Sequence, residues 1–268
     1  MSMYQLKRLS VWIFSILFAW APLSWAQTAD SLFNMPRGAT ITSEKVYDLH
    51  MLIFYICVVI GILVFGVMFY SLWRHRKSVG HVPAKFHEST KVEVLWTLIP
   101  LAILIGMAIP ATVVLKEMHD TSDSEISILV TGWRWYWEYE YMDSGVKFYS
   151  NLSTPQEAIK NLIPKDEHYL REVDNPLVLP INKKIRFLFT SSDVQHAWWV
   201  PDLGFKRDAI PGFINEDWAV IKKPGVYRGA CAELCGVSHG FMPIEVHAVS
   251  EKEFADWLTK QQAAQPKT

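Results

Sequence analysis

The sequence predicts a two-helix transmembrane hairpin followed by an all-β sandwich. Three observations carry that reading. Two runs, Met51 to Trp73 and Val94 to Leu115, contain no charged residue, and at 1.5 Å per residue each is long enough to cross a hydrocarbon core of about 30 Å. From Lys116 onward these runs give way to short segments that alternate every second residue, with Pro and Gly between them, the signature of strands. Charge divides the same way. Of 26 basic and 27 acidic side chains in 268 residues, 17 and 22 lie from Lys116 onward, a net of −5 there. A net charge of −1 for the whole chain excludes a nucleic-acid binder, which needs a basic excess against phosphate. Three cysteines in 268 residues exclude a disulfide-built scaffold.

Residues 1–26 read as a secretory signal. Lys7 and Arg8 form its charged region, Val11 to Ala21 its short apolar core, and Ser24 and Ala26 the small residues before a cut ahead of Gln27. Residues 27–47 follow as an extracytoplasmic segment, and the hairpin occupies 48–115. Pro100 and Pro110 fall inside the second span, where membrane helices tolerate proline better than soluble ones do. The connection 74–91 carries Arg74, Arg76, Lys77, Lys85 and Lys91 against Glu88 alone, so it stays cytoplasmic. Both ends of the hairpin then face outward, which places residues 116–268 in a periplasm. Cys57, in mid-span, reads as a small packing residue.

In the domain, Glu125 to Val130 is a candidate strand. Trp133 to Tyr141 is a second, with Trp133, Trp135, Trp137, Tyr139 and Tyr141 at every odd position and therefore on one face. Pro155 to Glu172 is a polar excursion with some helix. Strands resume at 177–179, 185–190, 217–221, 226–229 and 244–249. Ser250 with Glu253 marks a capping box for a closing helix to about Gln262. Many short strands between turns indicate an antiparallel sandwich or barrel.

One segment carries the chemistry. Between the strands ending at Gly229 and beginning near Ile244 lies a loop with Cys231, Cys235, His239 and Met242. Two thiols, an imidazole and a thioether form a soft donor set that favours copper over hard cations. His196, just after the 185–190 strand, is a further candidate, because loops at one end of a sandwich converge. A Cys231–Cys235 disulfide leaves His239 and Met242 unexplained. A structural zinc site wants four N/S ligands, and thioether suits it poorly. A mononuclear copper site uses one Cys, and the surplus thiol points instead to two metal ions sharing two thiolates.

With these residues the chain resembles subunit II of the haem–copper cytochrome c oxidases, from the second half of the leader to the terminal helix. The motif C-x-E-x-C-x-x-x-H-x-x-M at Cys231 to Met242 is highly specific. Ser192-Asp193-Val194-Gln195-His196, Val200-Pro201 and Asp208-Ala209-Ile210-Pro211-Gly212 accompany it. The aromatic string is similar to the family's tryptophan-rich strand, with Trp133-Arg134 in place of the more usual His-Gln. The resemblance implies a cupredoxin-like Greek-key sandwich and a dinuclear copper centre, CuA. In it Cys231 and Cys235 bridge both ions, His196 and Met242 complete one, and His239 with the Glu233 carbonyl completes the other. The resemblance further implies a magnesium ion held by the Glu233 side chain at the subunit I interface. By the same resemblance, Trp135 is the expected point of electron entry, Glu140, Asp174 and Asp193 the expected docking residues for cytochrome c, and Glu93, at the cytoplasmic start of the second span, the expected opening of a proton path. Subunits I and III, the lipid bilayer and a bacterial inner membrane complete the expected setting. A membrane-anchored periplasmic copper chaperone or sensor is the alternative, although it needs neither His196 nor an acidic docking face. A quinol-oxidase relative, which lacks copper, sits badly with the intact donor set. No Cys-x-x-Cys-His haem attachment is present, so the donor is a separate carrier.

Overall fold

A computed structural model describes residues 34–265 apart from 81 and 83; the leader and its cleavage site lie outside the described residues. Two helices are long and apolar enough to cross a membrane. Helix α1 spans Ile41–Arg74 and α2 spans Thr90–Met118. Both run past the charge-free stretches, because helical hydrogen bonding does not stop where the hydrocarbon does. Helix α1 starts where Thr40 and Ser43 close a capping box, satisfying backbone N–H groups that the first turn leaves free. Pro100 and Pro110 are accommodated within α2.

The remaining elements form two five-stranded sheets. They are β1 (Ile126–Trp133), β2 (Tyr136–Tyr141), β3 (Val146–Ser150), β4 (Leu177–Pro180), β5 (Lys184–Ser191), β6 (His196–Val200), β7 (Phe205–Ala209), β8 (Asn215–Val220), β9 (Gly225–Cys231) and β10 (Pro243–Val249). One sheet has the order β3-β2-β1-β5-β8, the other β4-β10-β9-β6-β7. Each contains one parallel pair, β1 with β5 and β4 with β10, so the expected sandwich is mixed rather than purely antiparallel. Trp137, Tyr139, Phe187, Phe189 and Trp198 fill the space between the sheets, all fully buried. The Tyr141 hydroxyl donates to the Val178 carbonyl at 2.6 Å and so ties one sheet to the other. Helix α3 (Glu251–Ala264) closes one end, with Trp257 against Tyr141 at 5.3 Å between ring centroids. Its Ser250–Glu253 capping box is present as expected.

The aromatic string departs from the single-strand reading. It is a hairpin in which Trp133 pairs with Tyr136 across the turn Arg134-Trp135. Trp137, Tyr139 and Tyr141 do face the core. Trp133 instead shares the outer face with Tyr136, their rings stacked 6.0 Å apart. A two-residue turn inverts the parity of what precedes it, and period-2 counting cannot detect that.

The start of α1 is keyed into the sandwich. Thr40 is fully buried, and its hydroxyl donates to the Leu203 carbonyl at 2.8 Å. Ala39 N donates to the Asp202 carbonyl at 2.7 Å. Near the end of α2, the Glu117 carbonyl accepts from Trp218 Nε1 at 3.1 Å. Both helices are thus fastened to the sandwich by polar contacts.

Candidate metal centre

The centre is built where β6, β9 and the β9–β10 loop meet. Strand β9 ends on Cys231, which pairs with Trp198 of β6; two residues earlier on β6 is His196. The loop is held against β6 by Ala232 N donating to the Ala197 carbonyl at 2.9 Å. A short 3-10 turn, His239–Phe241, then delivers His239 and Met242 just before β10. Cys231, Cys235, Met242 and His196 are all buried.

The two thiols are unbridged, with their sulfurs 3.9 Å apart. Cys231 Sγ lies 3.8 Å from His196 Nδ1 and 3.4 Å from the Glu233 carbonyl oxygen. Cys235 Sγ lies 3.5 Å from His239 Nδ1 and 3.5 Å from Met242 Sδ. The fold therefore brings together all six donors predicted from sequence. Moreover, each sulfur touches one member of each expected set, which is the arrangement two shared ions require.

The electrostatics suit a cation. Burial raises the Cys231 thiol, but hydrogen bonding with His196 and with the backbone at Glu233 and Ala197 outweighs it, and its pKa is lowered. Burial, followed by the charge on Cys231, pushes Cys235 up to about 12. Two thiolates 3.9 Å apart repel by about 4 kcal/mol at an effective dielectric constant of 20. A cation lying between the two sulfurs would offset that repulsion and favour both thiolates. For His196, burial opposes the charged ring, yet its bonds to Cys231 and Asp193 win and its pKa is raised.

The sequence assigned no part in the centre to four surrounding residues, although Trp137 and Arg134 stand in the aromatic string. Gly132 on β1 faces the His196 ring so closely that a Cβ there would lie 2.7 Å from His196 Cδ2. Trp137 stands edge-on to the same ring at 5.9 Å. Arg134 contacts Asp193, whose Oδ1 lies 3.0 Å from His196 Nε2. Asn151 lies beside Trp135 in the cavity described below. Glycine spacing and a charged residue within an aromatic run give no sequence signal for such contacts.

Trp135, in the β1–β2 turn, donates its Nε1–H to the Cys235 carbonyl at 3.1 Å. It shares a cavity of about 460 Å³ with Asn151, Ser238 and Phe241. Asp174 is exposed and accepts from Asn151 N at 2.7 Å and from Nδ2 at 3.0 Å. Glu140 lies further along β2, 3.5 Å from Lys147 Nζ. Glu233 is half-buried. Glu93 is exposed in the first turn of α2, far along the chain from the sandwich, with Ser89 N donating to its Oε1 at 3.4 Å.

Residues 126–249 match the family described as cytochrome c oxidase subunit II, periplasmic domain, and residues 27–114 match its transmembrane domain. The chain belongs to the cytochrome c oxidase subunit II family. The probable cytochrome c oxidase subunit 2 of Rickettsia prowazekii (strain Madrid E) is 40% identical over 243 residues, 90% of this chain and 74% of the relative. The mitochondrial cytochrome c oxidase subunit 2 of Glycine max is 36% identical over 266 residues, 97% of this chain and 66% of the relative. Among solved structures, the periplasmic domain of subunit II of cytochrome oxidase (CoxB) of Bradyrhizobium japonicum is 39% identical. That match covers 53% of this chain and 97% of the other, with a TM-score of 0.48. Membership makes this subunit II chain part of a haem–copper oxidase, an oxidoreductase, and accounts for the hairpin and the sandwich together.

Proposed function

We propose that this chain receives electrons one at a time from cytochrome c at a dinuclear copper centre and passes them to haem in subunit I, where oxygen is reduced. The observation that carries this reading is the contact of each buried thiol with one donor of each set. Thiolate, imidazole and thioether suit copper. Cys231 and Cys235 would serve both ions, His196 and Met242 would complete one, and His239 with the Glu233 carbonyl would complete the other. A copper pair held there supplies a one-electron couple shared over both metals. The protein's part is to hold the six donors still and dry, since little rearrangement between redox states makes a fast relay. His196 and Met242 are buried beneath the loop, which favours a permanent centre over the exchangeable ligands of a chaperone or sensor.

Electrons enter at Trp135, whose indole N–H reaches the carbonyl of the bridging Cys235. Glu140, Asp174 and Asp193 contribute to docking a basic cytochrome c. The Glu233 side chain holds magnesium at the subunit I interface, a carboxylate role that this ion favours. Glu93 opens a proton path on the cytoplasmic side, its carboxylate stabilised at the start of α2. The leader ends at Ala26, in keeping with a family match that begins at residue 27. Residues 27–47 lie outside the hairpin of 48–115, and 116–268 form the periplasmic domain at a bacterial inner membrane. Subunits I and III complete the assembly.

Copper analysis and electron spin resonance on the purified oxidase test the reading. Two copper atoms per chain, with one unpaired electron spread over both, are expected. A single atom or none in folded protein overturns it, and a colourless Cu(I) form that surrenders its metal to an acceptor identifies a chaperone.

A further inference from the structure

Resting on that reading of the copper centre, we propose that Arg134 is a positioning residue. It acts on the ligand His196 through Asp193, and it sets both the reduction potential of the centre and the charge seen by the docking donor.

The geometry is a short chain from solvent to ligand. Arg134 offers two donors to one carboxylate oxygen, its main-chain N at 2.8 Å and its Nε at 3.3 Å from Asp193 Oδ2. The other oxygen, Oδ1, stays with His196 Nε2 at 3.0 Å. Val194 N, at 2.6 Å from Oδ1, fixes the carboxylate further. The other imidazole nitrogen faces Cys231 Sγ at 3.8 Å. Exposure falls along this path: the side chain of Arg134 is 52% exposed, that of Asp193 18% and that of His196 0%. A carboxylate on the outer nitrogen orients a ligand imidazole and raises its basicity. How strongly it does so depends on whether its own charge is balanced, and Arg134 is the cation that balances it.

Two consequences follow from the loss of that guanidinium. Asp193 keeps its bond to His196, but its negative charge is no longer balanced. That favours the more positive, oxidised state of whatever redox group His196 ligates, so the reduction potential falls. Asp193 also becomes available to a basic partner, and a cation disappears beside Trp135, the adjacent residue in the chain. Donor binding therefore tightens while the driving force for accepting its electron shrinks. Arg134 limits the contribution of Asp193 to docking and spends that carboxylate on the ligand instead.

The test is Arg134→Gln in the intact oxidase, with Arg134→Lys to restore charge and Lys252→Gln, on α3, to remove an equal charge from another element. Redox titration followed through the visible and spin-resonance signals is read beside steady-state oxidation of cytochrome c. For Arg134→Gln the expected result is an intact signal, a lower midpoint potential, and KM reduced about two- to threefold with a reduced kcat. Arg134→Lys returns the potential towards that of the parent, and Lys252→Gln leaves it in place. An unchanged potential in Arg134→Gln with the copper signal present overturns this inference and leaves the copper reading standing. Equal shifts in Arg134→Gln and Lys252→Gln also overturn it, since the effect would then be bulk charge. Absence of the copper signal from the parent protein defeats both.

Discussion

Gly132 shows how closely the ligand shell is built. It lies on β1, in the sheet opposite His196, and its missing side chain is where the imidazole sits. A methyl group there would stand 2.7 Å from Cδ2 and 2.9 Å from Cγ of His196, closer than packed carbons tolerate. His196 cannot retreat freely, because Asp193, Cys231 and Trp137 hold its other sides. Gly132→Ala is therefore expected to displace the imidazole while the sandwich still folds. Copper spectra should show a perturbed or single-copper signal, and a parental spectrum would show that the ring has room to move.

At the scale of elements, the sequence revealed what its periodicities encode. Charge-free runs located α1 and α2. Alternation located β1, β5, β8, β9 and β10, and Ser250 with Glu253 located α3. The donor spacing in the β9–β10 loop exposed the site directly. Strand β7 escaped because its inward residues are Phe205, Arg207 and Ala209. Arg207 points between the sheets to reach buried Asp217 of β8 at 2.6 Å, so an internal ion pair reads as surface. Strand β6 escaped because it is paired on both sides, by β9 and β7, and buried at four of five positions, which leaves no alternation. Short β3 carries Lys147 and Tyr149 outward and resembles a loop. The junction between α1 and the sandwich was equally hidden, since it depends on shape. Gly204 has φ +84°, and a Cβ on it would lie 2.6 Å from Ser43 Cα and 2.8 Å from Ser43 N, backbone atoms that cannot step aside. Gly204→Ala should lower stability by about 2 kcal/mol or more through left-handed strain and steric overlap. Thermal denaturation of the detergent-solubilised protein would show it as a lower midpoint, and a parental midpoint would mean that the junction is loose.

For the molecule as a whole, a −5 domain invites a basic donor, but net charge cannot say where the donor sits. The three candidate carboxylates are not equivalent. Asp193 is committed to Arg134 and His196. Glu140 is five residues from Trp135, roughly 17 Å along an extended strand, and Lys147 lies 3.5 Å from it. That separation exceeds the screening length of about 8 Å at physiological ionic strength. Asp174 is exposed and is held by Asn151, which lines the same cavity as Trp135. Its two hydrogen bonds are neutral and leave its charge intact. Asp174→Asn should therefore raise KM for cytochrome c about two- to fivefold at low salt, the range of a single rim charge. It should leave kcat and the copper spectrum unchanged and flatten the dependence of KM on ionic strength. Glu140→Gln should change KM less than Asp174→Asn does. Steady-state kinetics across a salt series checks both, and a larger effect at Glu140 would move the docking footprint along β2, away from the indole that contacts the Cys235 carbonyl.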